Sequence, residues 1–290
     1  MITEEELQQQ ENYVDEKTLA RRKELLKRLL EGNSSTIQAM DKNTTHLEGR
    51  DEVIADIYES MHKKRMKNII LLGEPGCGKT AIIECFAYKY AKEFTILNFS
   101  LPGAVAGTKY RGEFEEKINN ILRVIVQYNN ITPEKPIVLF IDEIHTLYKA
   151  GGAEGAIDAS NILKPYLASG KIIIIGATTK EEYKNTLQTD GAMARRLGPI
   201  EIPVLDKKVV LKILKNFSEK EVSKELLEYI YERASKIEGG VNPDISIEVL
   251  DRCMARSVCR KVEITKEMID NIADSIRLKE TSVYKMGIGA

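Results

Sequence analysis

The sequence has 290 residues, 43% apolar and 30% charged, enough hydrophobic material for one good-sized α/β domain and a smaller companion. Its 43 basic residues nearly cancel 44 acidic ones, which excludes a global positive field of the kind that non-specific nucleic-acid binding needs. No run approaches the ~20 apolar residues of a membrane span, and the start MITEEELQQQ is acidic where a signal peptide is basic, so a cytoplasmic protein without membrane contact is expected. Cys77, Cys85, Cys253 and Cys259 form no CxxC pair and have no histidine at zinc-ligand spacing. Reduced thiols are expected, with packing as the role of Cys85, Cys253 and Cys259.

Residues 13 to 30 set Val14, Leu19, Leu25, Leu26, Leu29 and Leu30 among charges, the pattern of an amphipathic helix, read as a docked or fraying extension. The polar stretch GNSSTIQAMDKNTT reads as a linker. From about residue 47, short β-rich runs alternate with helical segments, as in a parallel sheet with covering helices. Five strands are expected at 68–72, 95–99, 136–141, 171–177 and 200–204, several so apolar that both faces must be buried. Phe114, Ile118, Ile121, Leu122 and Ile125 mark one face of a helix over about 112–128. After Pro203 the strand signals stop, and helical patterns near 206–217, 223–236, 246–258 and 265–278 predict a separate helical domain whose Ile247, Leu250, Met254 and Val258 read as core. The expected division is an N-terminal helix and linker (1–46), a large αβα domain (47–204), a helical domain (205–282) and a tail (283–290).

The first chemical signal is Gly73-Glu74-Pro75-Gly76-Cys77-Gly78-Lys79-Thr80, which fits GxxxxGK[ST] at every fixed position, follows an apolar strand and leads through Ala81 into a helical run. Its glycines let backbone N–H groups turn inward around a phosphate, and the helix start adds a positive dipole end. Lys79 offers a point charge to the β- and γ-phosphates and Thr80 a hydroxyl to Mg²⁺. ATP with Mg²⁺ is the cofactor this predicts. Cys77 reads as passive, with a regulatory thiol as the sharper alternative because a helix N-terminus can lower a thiol pKa.

The second signal is the apolar strand Ile137–Ile141 ending in Asp142-Glu143, which delivers two carboxylates to one end of a sheet. Downstream of a phosphate loop, Asp142 suits the metal sphere. Glu143 suits the polarisation of an attacking water, worth about 10²–10⁴ in rate. The third is Gly176-Ala177-Thr178-Thr179, where a neighbouring strand can present a hydroxyl to the γ-phosphate or the water; Thr179 can also cap the following helix, and both roles can coexist because different atoms serve them.

These segments together resemble the first ATPase module of the Clp unfoldases (the ClpA, ClpB and ClpC kind) within the AAA+ superfamily, from about Gly49 to about Asp251. The resemblance rests on Gly49-Arg50-Asp51-Glu52, the phosphate loop, GTKYRGEFEEK (107 to 117), LFIDEIHTL (139 to 147), the glycine-rich stretch 151 to 170, IGATTKEEY (175 to 183) and Ala194-Arg195-Arg196. It implies a P-loop NTPase fold, a three-layer αβα domain with a five-stranded parallel sheet and a small helical lid, working as a Mg-dependent ATPase. By resemblance, Thr179, with Thr178 as the near alternative, senses the γ-phosphate. Arg195 and Arg196 resemble arginine fingers that complete the neighbouring subunit's site, with an ordinary solvated turn as the alternative. Leu197 departs from the family's usual aromatic residue.

Lys109, Tyr110 and Arg111 fall in the loop that in this family lines a central pore and grips a polypeptide, where an aromatic ring contacts any extended chain by area. Packing at a helix start is the other reading of Tyr110. Residues 150 to 156, with Lys149, resemble a second pore loop or a mere connector. The resemblance implies a homo-oligomeric ring, a hexamer, that remodels, unfolds or threads a protein substrate. Partnership with a Clp peptidase is not expected, since the family's docking loop lies in a second module that this sequence does not show. A factor acting on nucleic-acid complexes, through runs such as HKKRMK (62 to 67), and a non-processive subunit of a larger Clp assembly are the alternatives. In the helical part, Arg252 is the candidate sensing arginine.

Overall fold

The structure, a computed structural model, describes residues 16–40, 46–106, 108, 110–149, 159–218 and 222–286. Lys109 and the glycine-rich stretch 150–156 lie outside these. No helix among the described residues is long and apolar enough to cross a membrane.

Helix α1 (Glu16–Glu31), strand β1 (Ile37–Ala39) and α2 (Asp51–Met61) precede a run of parallel strands and helices. These are β2 (Ile69–Leu72), α3 (Lys79–Lys89), β3 (Thr95–Phe99), α4 (Leu101–Val105), α5 (Arg111–Ile131), β4 (Ile137–Ile141), α6 (Thr146–Lys149), α7 (Ser160–Ser169), β5 (Ile173–Thr178), α8 (Lys180–Asn185), α9 (Gly191–Ala194) and β6 (Gly198–Glu201). The sheet order is β1-β3-β4-β5-β2-β6. All pairings are parallel except that of β1 with β3. The strand placing Gly73 therefore sits between the strand ending at Thr178 and the edge strand β6, and all five parallel strands release their loops at one end of the sheet.

The near-continuous apolar strands are explained by what covers them. Strand residues alternate faces, so Ile70 and Leu72 point into a cluster with Phe114, Ile118, Ile121 and Leu122 of α5 and Leu163 and Leu167 of α7. Ile69 and Leu71 point the other way, into Val53, Ile54 and Ile57 of α2 and Ile82, Ile83 and Phe86 of α3. Helices on both faces make the sheet the middle of three layers. Asn68 fastens the start of β2 to its neighbours, its Oδ1 accepting from Ile174 N at 2.9 Å and its carbonyl from Gly198 N at 2.9 Å.

Two expectations about the sheet are corrected. It has six strands, because the expected linker contains β1, which runs antiparallel to β3 with Ile37 opposite Phe99. Three residues with one buried apolar side chain leave almost no period-2 signal. The last parallel strand spans Gly198–Glu201, shifted from 200–204, since the ladder after it continues only through Ile202 N to Leu72 O (2.8 Å) before Pro203, which has no N–H to donate.

The N-terminal segment is part of this domain. Leu29 is buried in the α5 side of the core, and Arg22 on α1 donates to Ile131 O and pairs with Glu134 beyond the end of α5. Ser100 N donates to Thr36 O (2.8 Å) and Thr36 Oγ1 to Gly103 O (3.0 Å). A Cβ on Gly103 would stand 1.7 Å from the Ser35 carbonyl oxygen, so only glycine admits this approach.

Beyond Pro203, helices α10 (Lys207–Phe217), α11 (Lys224–Ala234), α12 (Asp244–Arg260) and α13 (Lys266–Met286) enclose their own cluster, centred on Val210, Leu214, Ile230, Val249, Leu250, Cys253 and Ile269. Leu250 lies in this core, Ile247 and Met254 flank it, and Val258 is corrected to an exposed position.

Gly103→Val should force the 33–36 segment away from α4 and lower stability by about 1–3 kcal/mol, the usual range for overpacking. Thermal melting reads the loss, and limited proteolysis should cut earliest between α1 and β1.

Candidate functional site

The end of β2 delivers the phosphate loop. Gly73 N donates to Thr178 O at 3.1 Å, which continues the ladder one residue past the strand and fixes where the loop starts. Gly76 and Gly78 then have φ of 77° and 92°, left-handed values that reverse the chain into α3. Lys79, the first residue of α3, is buried, and its Nζ donates to Gly73 O (3.0 Å) and Glu74 O (3.1 Å), keeping the positive charge within the loop. Helix α3 thus points the positive end of its dipole at the loop.

Asp142 leaves the end of β4 and reaches this loop: Thr80 Oγ1 donates to Asp142 Oδ2 at 2.8 Å. A hydroxyl and a carboxylate so close are a hard-oxygen pair that suits Mg²⁺, which takes one or two protein oxygens and completes its shell with water and phosphate. The residues present therefore fit a magnesium nucleotide.

Glu143 follows with φ of 49°, a left-handed conformation that a non-glycine residue adopts at a cost. Two contacts impose it. Ile144 N donates to Ala177 O at 3.0 Å, and the Ile144 side chain lies where a Cβ on Gly176 would meet it at 2.7 Å. With Ile144 pinned onto β5, the Glu143 carboxylate turns outward, with its side chain about half exposed.

The next residue, His145, is buried. Its Nδ1 lies 2.8 Å from Thr178 Oγ1, and its Nε2 3.4 Å from Glu143 Oε2 and 3.9 Å from Glu182 Oε1. The two threonines are distinguished by this geometry. Thr178 is buried within β5 and meets His145, whereas Thr179 has left the strand and caps α8, its Oγ1 accepting from Glu182 N at 3.1 Å. Thr179 therefore fills the capping role through its oxygen.

Arg50 holds the periphery. Its guanidinium is buried and donates to Cys77 O (2.7 Å) and Pro203 O (2.7 Å), and burial pulls its pKa down. From the helical part, Asp244 at the start of α12 presses on the loop, since a Cβ on Gly76 would stand 2.7 Å from Asp244 Cβ. Arg252, two turns further along α12, pairs with Glu248 on its own helix beside a cavity of ≈ 350 Å³, which does not support it as a sensing arginine.

Arg195 and Arg196 follow α9, where Asp190 accepts from the amides of Ala192 and Met193 and pairs with Lys164 at 2.7 Å. Burial alone would raise the Asp190 carboxyl, but the Lys164 hydrogen bond and the two amides outweigh it and hold it below its ordinary value. Met193 and Leu197 are buried on either side, so the apolar anchor at Leu197 fixes the segment without an aromatic ring. Arg195 is exposed, and Arg196 donates to Ala192 O at 2.6 Å. Tyr110 precedes Arg111, the first residue of α5, on extended backbone, and is 73% exposed, which excludes packing at the helix start as its role. The structure brings Lys79, Thr80, Asp142, Glu143 and Thr178 to one end of the sheet, together with His145, Arg50 and Asp244, to which sequence reasoning assigned no role.

Cys77 is buried, and desolvation raises its thiol despite Lys79 and Arg50 nearby, which removes the basis for a regulatory thiolate. Burial pushes Cys253 up to about 11. Cys259 is corrected from a packing residue to an exposed one, because it lies in the last turn of α12, beyond the packed length of that helix. Maleimide should label Cys259 in the folded protein and reach Cys77, Cys85 and Cys253 only on unfolding; mass spectrometry of a labelling time course checks this.

Residues 69–198 match the ATPase family associated with various cellular activities (AAA). The chain is 38% identical over 237 residues to the ATP-dependent Clp protease ATP-binding subunit ClpC of Staphylococcus aureus, and 37% identical to that of Staphylococcus epidermidis. Each match takes in 76% of this chain, which spans 28% of the length of these relatives. Among solved structures it resembles Hsp104 in an S. cerevisiae Hsp104-ADP complex (TM-score 0.71, 29% identity, 84% of this chain and 45% of that one). It also resembles Hsp104 in an S. cerevisiae Hsp104:casein complex (TM-score 0.67, 29% identity, 82% and 43%).

Proposed function

We propose that this chain, which matches the AAA ATPases over residues 69–198 and is 38% identical to ClpC over 237 residues, binds ATP with Mg²⁺, hydrolyses it, and couples the cycle to remodelling or threading a protein substrate within a homo-oligomeric ring. The observation that carries the reading is the 2.8 Å contact between Thr80 and Asp142 beside the ammonium of Lys79, three groups from two strand ends converging on one phosphate loop.

The loop amides and Lys79 bind the β- and γ-phosphates, and Gly73 to Ala81 line the nucleotide. Thr80 and Asp142 would hold the metal, which would supply positive charge against the charge that develops on the phosphates. Glu143 takes the proton of the attacking water. Its half-exposed carboxylate is open to solvent, and its fixed backbone turn limits how far it can stray from the γ-phosphate position. Thr179, which has left β5 and is partly exposed, reads the γ-phosphate in preference to the buried Thr178; its Oγ1 accepts from Glu182 N, which leaves the hydroxyl hydrogen to donate. Arg195 and Arg196 reach the neighbouring subunit's nucleotide from their anchored turn, which makes hydrolysis conditional on assembly. Asp244 lets the helical lid feel the loop directly, and Arg50 ties the loop to the root of that lid at Pro203.

For the substrate, the exposed ring of Tyr110 supplies a grip that does not read sequence, with Lys109 and Arg111 flanking it. An Hsp104 structure similar to this chain is a casein complex, which favours an unfolded polypeptide over nucleic acid as the thing gripped.

Glu143→Gln should bind ATP with near-normal affinity, hydrolyse it at least about a hundredfold more slowly, and accumulate as ATP-bound rings in size-exclusion chromatography. Undiminished turnover would remove Glu143 from its role. Arg195→Ala should lower turnover by about 10³ or more while leaving nucleotide affinity of the protomer intact. Tyr110→Ala should keep basal turnover and lose its stimulation by casein; stimulation by DNA instead of casein would transfer the function to nucleic-acid complexes.

A further inference from the structure

Parallel strands gather their lead-in loops at the end of the sheet opposite the phosphate loop, and here those loops are basic. Lys64, Arg65 and Lys67 precede β2, Lys92 precedes β3, Lys171 precedes β5 and Arg195 precedes β6, and all six are exposed. None forms an ion pair among the described residues. The two acids of the same loops are already engaged, Glu93 accepting from Tyr58 Oη at 3.0 Å and Glu134 paired with Arg22. Helices α2, α3, α5 and α7 also end here, but at about half a negative charge per helix end they offset only about two of the six cations. In the order of the strands the positions run Lys92, Lys171, Lys67, Arg195, a row about 20 Å long at about 4.8 Å per strand. The remaining charge suits an anion of extended shape.

The chain supplies such an anion from the same end. Helix α1 runs away from it, since Arg22 meets Ile131 O and Glu134 beside the start of β4, whereas Ser35 and Thr36 meet Gly103 O beyond the far end of β3. Glu16, the first residue of α1, therefore lies about 9 Å further out than Arg22 on the lead-in side. Residues 1–15, which precede it, carry Glu4, Glu5, Glu6, Glu11 and Asp15 and no Lys, Arg or His. At about 3.5 Å per residue, the stretch from Glu4 to Asp15 can reach about 40 Å, twice the length of the row.

We propose that residues 1–15 dock across this basic row of their own chain as an acidic strap, and that the strap competes with a neighbouring subunit for Arg195. Each exposed ion pair is weak and is screened within about 8 Å at physiological salt. The tether makes several of them act together, because an attached segment is present at an effective concentration of about millimolar. Nucleic acid would meet the same cations, but the strap travels with every protomer, and the net charge of −1 gives a free polyanion no general attraction. The docking stands on the charge row and the course of α1. The competition for Arg195 rests on the ATPase reading above, in which that arginine serves the next subunit's nucleotide, so assembly requires the strap to give it up.

The test uses the full chain without nucleotide and a water-soluble carbodiimide, which joins a carboxylate to a lysine amine only where the two touch. Amide links should connect residues 1–15 to Lys64, Lys67, Lys92 or Lys171, and in a mixture of light and ¹⁵N-labelled chains each link should join peptides of one isotope. Arg65→Glu removes a cation without removing a reactive amine, and it should cut the yield about threefold or more, as should about 0.5 M salt. The triple variant Glu4→Gln/Glu5→Gln/Glu6→Gln should form ATP-dependent rings at about threefold lower protein concentration than wild type in low salt, and at the same concentration in about 0.5 M salt. The inference is overturned by absence of links to these lysines, by links that join the two isotopes in statistical proportion, by a yield indifferent to Arg65→Glu, or by unchanged ring formation in the triple variant. Single-stranded DNA bound equally tightly by wild type and triple variant in low salt would also overturn it, by giving the face to nucleic acid. Links in a chain that neither binds nor hydrolyses ATP would uphold the docked strap and sink the ATPase reading.

Discussion

A buried guanidinium joins the parts of this molecule that must move together. Arg50 donates one hydrogen bond to the carbonyl of Cys77 inside the phosphate loop and another to the carbonyl of Pro203, where the sheet domain ends and the helical part begins. Neither carbonyl has a helix or strand partner of its own, and a buried acceptor left unpaired costs about 1–3 kcal/mol. The loop conformation and the root of the helices are thus stabilised by one side chain. Asp244 closes the circuit from the far side by resting on Gly76. A change in the loop has two short routes into the helical part, both through direct contact.

The sheet explains why chemistry gathers at one end. Its strands are buried on both faces by α5 and α7 on one side and α2 and α3 on the other, so polar side chains are admitted only where the strands run out. Gly73, Asp142 and Thr178 are the residues at those ends, and parallel pairing brings them within about a residue of one another along the sheet. In open parallel sheets ligands bind at these carboxyl ends. The Glu143 turn is strained, and the strain is imposed from the core side by Ile144 against Gly176.

The five parallel strands, the α5 face and the phosphate loop were legible because each rests on a local pattern: an apolar run, a 3.6-residue period, or fixed glycine spacing. Strand β1 was hidden because three residues in a polar stretch carry no pattern, and their pairing is decided by the approach of Ser35 to Gly103, 68 positions away along the chain. Thr178 and Thr179 are adjacent hydroxyls, and which one faces the site depends on where β5 stops, a matter of register with Leu72. His145 and Arg50 were visible within recognised segments, yet their partners come from β5 and Pro203, far away in sequence. Asp244 belongs to another part of the chain altogether. Side chains whose meaning lies in a tertiary partner leave no trace in spacing.

Both margins of the sheet are awkward templates for a further strand. On one side β1 is three residues long and ends the ladder almost as soon as it starts. On the other, β6 carries Pro199 within it and Pro203 just beyond, positions that offer no N–H to an incoming chain. Copies of this chain are therefore discouraged from zipping together edge to edge into runaway fibrils, and association is left to helices and loops, which can separate and re-form without unravelling the fold.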